Sequence, residues 1–287
     1  MKRCAFLSTD NLDDFFVYDD MLKPYLAEFG WEVRDVPWQN TAVDYNEFDL
    51  VIVRSTWDYQ AHAESFLNCL ERIDASSAIL ENPLSLMRWN LSKSYLQNLQ
   101  HKGIPVLPSI WSEKINYSKF KSLYHRFHTD DLVIKPLVSA NADFTYRVNI
   151  EKLERLWEEL EGVFSIRPFL VQAYEESIET VGEYSLFYFE KNYSHAILKQ
   201  PKAGDFRVQE EHGGQLIALD ASDEMKKLAM RVLASLPELP LYARIDMLKT
   251  ERGFEIIEVE LIEPSLYFNM AEGSAERFAT LIHKKYG

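Results

Sequence analysis

Phe254-Glu-Ile-Ile-Glu-Val-Glu-Leu261 alternates carboxylates with apolar bulk over its second half. In an extended strand successive side chains point to opposite faces, so Glu258 and Glu260 share one face while Ile257, Val259 and Leu261 pack on the other. Just upstream, Leu241-Tyr-Ala-Arg-Ile-Asp-Met-Leu248 alternates in the same way, with Arg244 and Asp246 opposite Leu241, Ala243, Ile245 and Met247. Paired as neighbours, the two strands bring Asp246, Glu258, Glu260 and Arg244 together. Carboxylates this close repel unless a cation lies between them, and Mg²⁺ takes protein oxygens together with phosphate oxygens. Taken alone, the pattern fits a half-solvated hairpin with an acidic outer face at least as well.

Upstream lysines supply the complementary charge. Lys135 ends the apolar run Leu132-Val-Ile-Lys-Pro136, Lys199 ends Ser194-His-Ala-Ile-Leu-Lys199, and Lys93 lies near the start of a helical pattern. An ammonium at the end of a buried run is directed into a cleft, as a phosphate contact requires. Extended runs at 132–134, 169–171, 184–189, 194–198, 241–248 and 254–261, with helical patterns near 150–160 and 222–236, predict an antiparallel α+β region.

The first third reads differently. Short apolar runs at 3–8, 31–36 and 49–53 alternate with a helical pattern over 14–29 that ends at Gly30, which predicts a small α/β layer with a parallel sheet. The run at 49–53 leads into Arg54, Ser55, Thr56, Trp57, Asp58 and Tyr59, and the carboxyl ends of parallel strands are where such sheets bind ligands. A plain helix start there is an equal alternative. Asn82-Pro83 marks a turn, and residues 89–102 have helical spacing up to Gly103 and Pro105.

Composition narrows the function. A net charge of −14 opposes nucleic acid and anionic lipid. Only Cys4 and Cys69 are present, inside apolar patterns, so buried reduced thiols and a cytoplasmic location are expected. No apolar run approaches the ~20 residues of a membrane span. Phe6-Leu-Ser-Thr-Asp-Asn-Leu-Asp13 has no Gly-rich pyrophosphate turn, which weakens a nicotinamide oxidoreductase, and the absence of G-x-S-x-G and of His spacing weakens hydrolase and zinc readings.

The order of these pieces resembles the ATP-grasp superfamily, nearest its glutathione-synthetase-like and cycloserine-synthetase-like ligases. The resembling stretches are Arg88-Trp-Asn-Leu-Ser-Lys93, Val133-Ile-Lys-Pro136, Val171-Gln-Ala-Tyr174, Gly182-Glu183, the segment 204–214 ending His212-Gly213-Gly214, Arg244-Ile-Asp246 and Glu258-Val-Glu-Leu-Ile-Glu-Pro-Ser265. The resemblance implies an α/β pre-ATP-grasp domain (1–87), a linker helix with a lid subdomain (88–172) and an antiparallel-sheet subdomain with the metal site (173–287). It implies that Lys93 and Lys135 contact ATP phosphates with Lys199 nearby, that Gln172, Ala173 and Tyr174 read adenine, and that Glu183 holds the ribose. Asp246, Glu258 and Glu260 would carry two Mg²⁺ ions, replaceable by Mn²⁺. Activity is expected as carboxylate–amine ligation on small-molecule substrates, with homo-oligomerisation left open; the alternative is a non-catalytic ATP-binding regulatory protein.

Arg207 in the polar segment 203–214 is expected to neutralise charge during phosphoryl transfer, against the reading of a loop arginine in a surface ion pair. His212, Gly213 and Gly214, with Arg54, Ser55 and Asp58, are candidate substrate contacts. After Lys135-Pro136 the related enzymes often carry a glycine-rich phosphate loop, whereas Leu137-Val-Ser-Ala-Asn-Ala-Asp143 has no glycine.

Overall fold

A computed structural model describes every residue of the chain except Asp14. Thirteen strands form three sheets among the described residues. β1 (Lys2–Ser8), β2 (Trp31–Pro37), β3 (Leu50–Ser55) and β4 (Ile79–Glu81) make a parallel sheet ordered β2-β1-β3-β4. β5 (Ser109–Ser112), β6 (Asp131–Pro136), β7 (Tyr146–Asn149) and β8 (Phe169–Ala173) make an antiparallel sheet ordered β5-β8-β6-β7. β9 (Glu183–Phe189), β10 (Asn192–Gln200), β11 (Gln215–Leu219), β12 (Tyr242–Thr250) and β13 (Gly253–Glu260) make a second antiparallel sheet ordered β11-β10-β9-β12-β13.

β1 and β3 are buried along most or all of their length, as a parallel sheet covered on both faces requires. One face packs against the C-terminal helix Ser274–Tyr286, whose Phe278 stacks on Phe189 at 4.6 Å. Full burial of a phenylalanine contributes about 1.5–3 kcal/mol, so this contact ties the parallel layer to the five-stranded sheet. The other face of the five-stranded sheet is covered by helix Asp223–Ser235, with Leu228, Ala229 and Val232 turned inward. The four-stranded antiparallel sheet has its own core around Phe120, Leu132, Phe164 and Phe169.

Two expected helices are shorter than their patterns. Over 14–29 the chain makes a 3-10 turn at Asp19–Leu22 and a helix only at Lys23–Glu28, with Asp14 outside the described residues. Over 89–102 the chain breaks into Leu84–Asn90 and Tyr95–His101. The cause of the break is local: the Asn90 side chain donates to Val259 O at 2.7 Å and accepts from Leu261 N at 2.9 Å, while Tyr95 Oη accepts from Val259 N at 2.8 Å. These side chains satisfy the outer edge of β13, a row of backbone groups that would otherwise stay open. Cys4 and Cys69 are buried free thiols. Among the described residues no helix is long and apolar enough to cross a membrane.

Candidate active site

A cleft runs between the two antiparallel sheets and reaches loops of the parallel layer at its far end. Register places its floor. Across β12 and β13, Arg244 sits opposite Glu260 and Asp246 opposite Glu258, with a bulge after Asp246, so the expected convergence of acids and guanidinium is present. Lys93 is set in the break that Asn90 and Tyr95 pin to β13, and its Nζ lies 2.8 Å from Glu258 Oε1 and 3.0 Å from Ser139 O. The helix break thus positions a cation over the acidic strand. Lys135, at the end of β6, faces the same floor and has no carboxylate within 4 Å among the described residues.

The floor is charge-rich and shielded. Arg244 is only 9% exposed and bonds Asp246, with Nε to Oδ2 at 3.0 Å, and Glu260. Asp246 also accepts from Ser185 Oγ at 2.5 Å, and Lys199 pairs with Glu183 and lies 3.7 Å from Asp246. Burial works to raise the Glu258 carboxyl, but Lys93 and Lys135 overcome it and hold that group below its usual range. For Glu260 burial wins, with Arg244 opposing and Glu258 and Asp246 adding repulsion, so its carboxyl is held above the usual range. Burial also depresses Lys135 and raises Glu183. Glu263, at the far end, is pushed up to about 7 by burial.

Glu258, Glu260 and Asp246 are hard oxygen donors of the kind a divalent ion takes alongside phosphate oxygens. Among the described residues no three such groups already surround one metal position. Each is paired with a protein cation, Glu258 with Lys93, Glu260 with Arg244, and Asp246 with Arg244. The donor chemistry of these three acids fits Mg²⁺.

The opposite end of the cleft is apolar. Leu107, Leu248 and Ile257 form a small buried cluster with Ile178 against them, beside Gln172, Ala173 and Tyr174 at the end of β8. Gln172 Nε2 donates to Ser109 Oγ at 2.8 Å, and the Arg147 guanidinium lies 3.7 Å over the Tyr174 ring. Glu183 enters β9 after Gly182, where φ is 122° and a Cβ would sit 2.6 Å from Lys199 O, so the dipeptide needs glycine there. The loop after Pro136 lines the cleft without glycine, by placing Asn141 (φ 52°) and Ala142 (φ 58°) in the left-handed region. Strain of this kind costs about 1–3 kcal/mol per residue and is held by contacts to the parallel layer, such as Gln60 Nε2 to Asp143 Oδ2 at 2.8 Å.

Arg207 lines the cleft from the 203–214 loop and is clamped by Asp205, with Nη2 to Oδ2 at 2.7 Å. The bonded guanidinium holds the Asp205 carboxyl well below its usual range. Arg207 thus makes the loop ion pair of one reading while lining the cleft that the other requires. Within the same loop His212, Gly213 and Gly214 do not line the cleft; a Cβ at Gly214 would stand 2.1 Å from Val208 O, so this glycine closes the loop on itself.

Three of the substrate candidates do not line the cleft and are bonded by the protein itself. Arg54 is 1% exposed and bonds Asp19 at 2.8 Å and Pro264 O at 3.0 Å, Ser55 Oγ donates to Asp19 Oδ2 at 2.6 Å, and Asp58 accepts from Trp38 Nε1 at 2.6 Å. Polar groups at a strand end can turn to a ligand or to a neighbouring loop, and here they took the loop. Trp57 and Tyr59 from the same stretch do line the cleft. Sequence reasoning gave no role to Arg244, Asn90 or Glu263. Alternation had already put Arg244 on the acidic face, whereas Glu263 lies past the strand end, where alternation no longer reads.

Comparisons with known proteins agree with this architecture. Residues 128–271, about half of the chain, match the RimK-like ATP-grasp domain, and residues 4–82 match the D-cycloserine synthetase DcsG N-terminal domain. The cycloserine biosynthesis protein DcsG of Streptomyces lavendulae is 29% identical over 268 residues, covering 86% of this chain and 87% of that protein. The crystal structure of D-cycloserine synthetase DcsG superposes with a TM-score of 0.87 at 25% identity, over 99% of this chain and 100% of that one. D-alanine–D-alanine ligase from Bacillus anthracis shares the fold, with a TM-score of 0.67 at 14% identity over 100% of both chains.

Proposed function

The chain belongs to the RimK-like ATP-grasp family and is an ATP-grasp ligase, and from that premise we propose that it activates an amino-acid-like carboxylate as an acyl phosphate, joins it to an amine, and releases ADP with inorganic phosphate. The observation that carries this reading is the cleft floor, where Lys93 and Lys135 face Glu258 while Arg244 stands between Asp246 and Glu260. Cations and anions alternate there as the oxygens of a transferring phosphoryl group demand.

Lys93 and Lys135 bind and orient the phosphates, Glu183 takes the ribose hydroxyls, and Gln172, Ala173 and Tyr174 with the Leu107–Leu248–Ile257 cluster hold adenine away from water. Lys199 sets Glu183 and Asp246. Asp246, Glu258 and Glu260 would hold Mg²⁺, which when bound neutralises charge on the phosphate oxygens. As the substrate carboxylate oxygen bonds to the γ-phosphorus, the bond from that phosphorus to the ADP oxygen breaks. Arg244 and Arg207 offset the negative charge that develops, first on the oxygens of the phosphoryl group and then on the oxyanion of the tetrahedral intermediate formed by amine attack. Collapse expels phosphate, and the amine loses a proton.

The likeness to a D-cycloserine synthetase supports an amine carried on the same molecule as well as one on a second molecule. Residues 1–87, 88–172 and 173–287 are our proposal for the units of the chain, and the segment from about 108 to 171, much of which packs around its own core, for the lid that closes over the nucleotide. Arg207 in the cleft beside the full set of floor acids favours the ligase over a purely regulatory ATP binder. Chromatography of nucleotides after turnover is expected to give ADP and phosphate in equal amounts; accumulation of AMP and pyrophosphate would overturn the acyl-phosphate route.

A further inference from the structure

The segment following β13 is held at three successive carbonyls. Tyr242 Oη donates to Ile262 O at 2.8 Å, Trp57 Nε1 to Glu263 O at 2.9 Å, and Arg54 Nη2 to Pro264 O at 3.0 Å. A backbone fixed at each of these points leaves little freedom in where the Glu263 side chain stands. That side chain lines the cleft on a residue only 7% exposed, at the end built from the parallel layer and away from the Leu107–Leu248–Ile257 cluster.

Glu263 has no Lys, Arg or His nitrogen within 4 Å among the described residues. The nearest cation acting on it, Lys93, is committed to Glu258 at 2.8 Å and to Ser139 O at 3.0 Å. Two aromatic residues from the parallel layer line the same cleft: Trp57, bonded to the Glu263 carbonyl, and Tyr59, two residues on. A carboxyl withdrawn from water without a cation is pushed toward its protonated form, and a cationic ligand beside it restores the ionised one. Aromatic faces around an anion favour an organic ammonium, which gains from both, over a hydrated metal ion, which needs further oxygens.

Resting on the ligase reading, we infer that Glu263, on the strap that Trp57 and Arg54 hold, is the subsite for the protonated amino group of the substrate whose carboxylate is activated. The substrate is then an α-amino acid or a derivative with that group free. Its carboxylate is directed to Lys93, Lys135 and Arg244, and its ammonium to Glu263. Arg54 enters as a positioning residue: its bond to Pro264 O holds the strap on which Glu263 stands.

The test separates acid activation from the native amine. Hydroxylamine attacks an acyl phosphate and gives a hydroxamate with release of phosphate, so the full-length protein with Mg-ATP and hydroxylamine reads out which carboxylates are activated. The panel consists of D- and L-amino acids and their desamino counterparts. Amino acids of the accepted class are expected to form hydroxamate, and their desamino analogues to be about 10- to 100-fold poorer in kcat/KM, the size of a hydrogen bond to a charged group. Glu263→Gln should raise KM for the amino acid by about the same factor and erase the preference, leaving KM for ATP and the Mg-ATP melting shift as in the wild type. Glu263→Asp, which keeps the charge, should recover part of the loss. Hydroxamate formation indifferent to the amino group, or a Glu263→Gln enzyme with wild-type KM, would overturn the subsite alone. Absence of hydroxamate from every acid tested would overturn the ligase reading and the subsite with it.

Discussion

Two clusters of buried charge flank the strap at 261–265, and they differ in whose partners they use. On one side Arg54, Asp19 and Ser55 bond one another and Pro264 O, and Arg54 lies 5.1 Å over the Tyr242 ring, so apart from the Arg54 Nη1 group the protein supplies the partners. On the other side Glu258, Glu260, Asp246, Arg244 and Lys93 also pair, yet Glu258 and Glu260 keep about a quarter of their side-chain surface open to the cleft. A closed cluster fixes a shape. An open one can exchange its protein partners for a ligand, and the same residue types serve either purpose according to which surface they face.

The largest expected effect lies in the closed cluster. Asp19→Ala leaves the Arg54 guanidinium buried without its carboxylate, and breaking such a pair costs about 3–5 kcal/mol. Urea unfolding should show that loss. An Asp19→Ala protein of unchanged stability but altered substrate KM would make this cluster a substrate site after all.

In the open cluster the loss should fall on turnover. Glu258→Gln removes a floor carboxylate whose strand packs through its opposite face, so turnover should drop by about two to three decades, or about 3–4 kcal/mol of transition-state stabilisation. Secondary structure should be kept. Wild-type turnover would return the acids to the status of a solvated hairpin face.

Arg207 is a smaller case, since its ion pair with Asp205 is on a loop and 39% of its side chain is exposed. Arg207→Ala should change stability by no more than about 1 kcal/mol, as surface pairs do, while lowering kcat by about two decades with little change in ATP affinity. A normal kcat would remove it from the chemistry.

The comparison also explains what the sequence made legible. β12 and β13 could be read because their alternation is uninterrupted, and one face had to be the packed one; register then followed from pairing them. The short edge strands β4, β7 and β11 carry no such pattern, and the helix over 89–102 hid its break because Asn90 and Lys93 are turned by contacts to β13, more than 160 residues away in the chain. Arg54 misled for a related reason: its sequence neighbours mark a strand end, but the choice between cleft and interior is made by Asp19 and Pro264. The loop at 137–143 reaches the cleft through left-handed Asn141 and Ala142, a conformation for which its sequence gives little warning.

On the proposed function the open floor is completed by a magnesium-bound nucleotide. A ligand that binds only the folded state at about 100 times its dissociation constant stabilises it by about 2.7 kcal/mol, which for a chain of this size raises the melting temperature by roughly 5 °C or more. The decisive measurement is the melting temperature of the wild-type protein with saturating ATP, in Mg²⁺ and in excess chelator. A shift of that size is expected with Mg²⁺ and a much smaller one without it; equal shifts in the two conditions would remove Asp246, Glu258 and Glu260 from the metal.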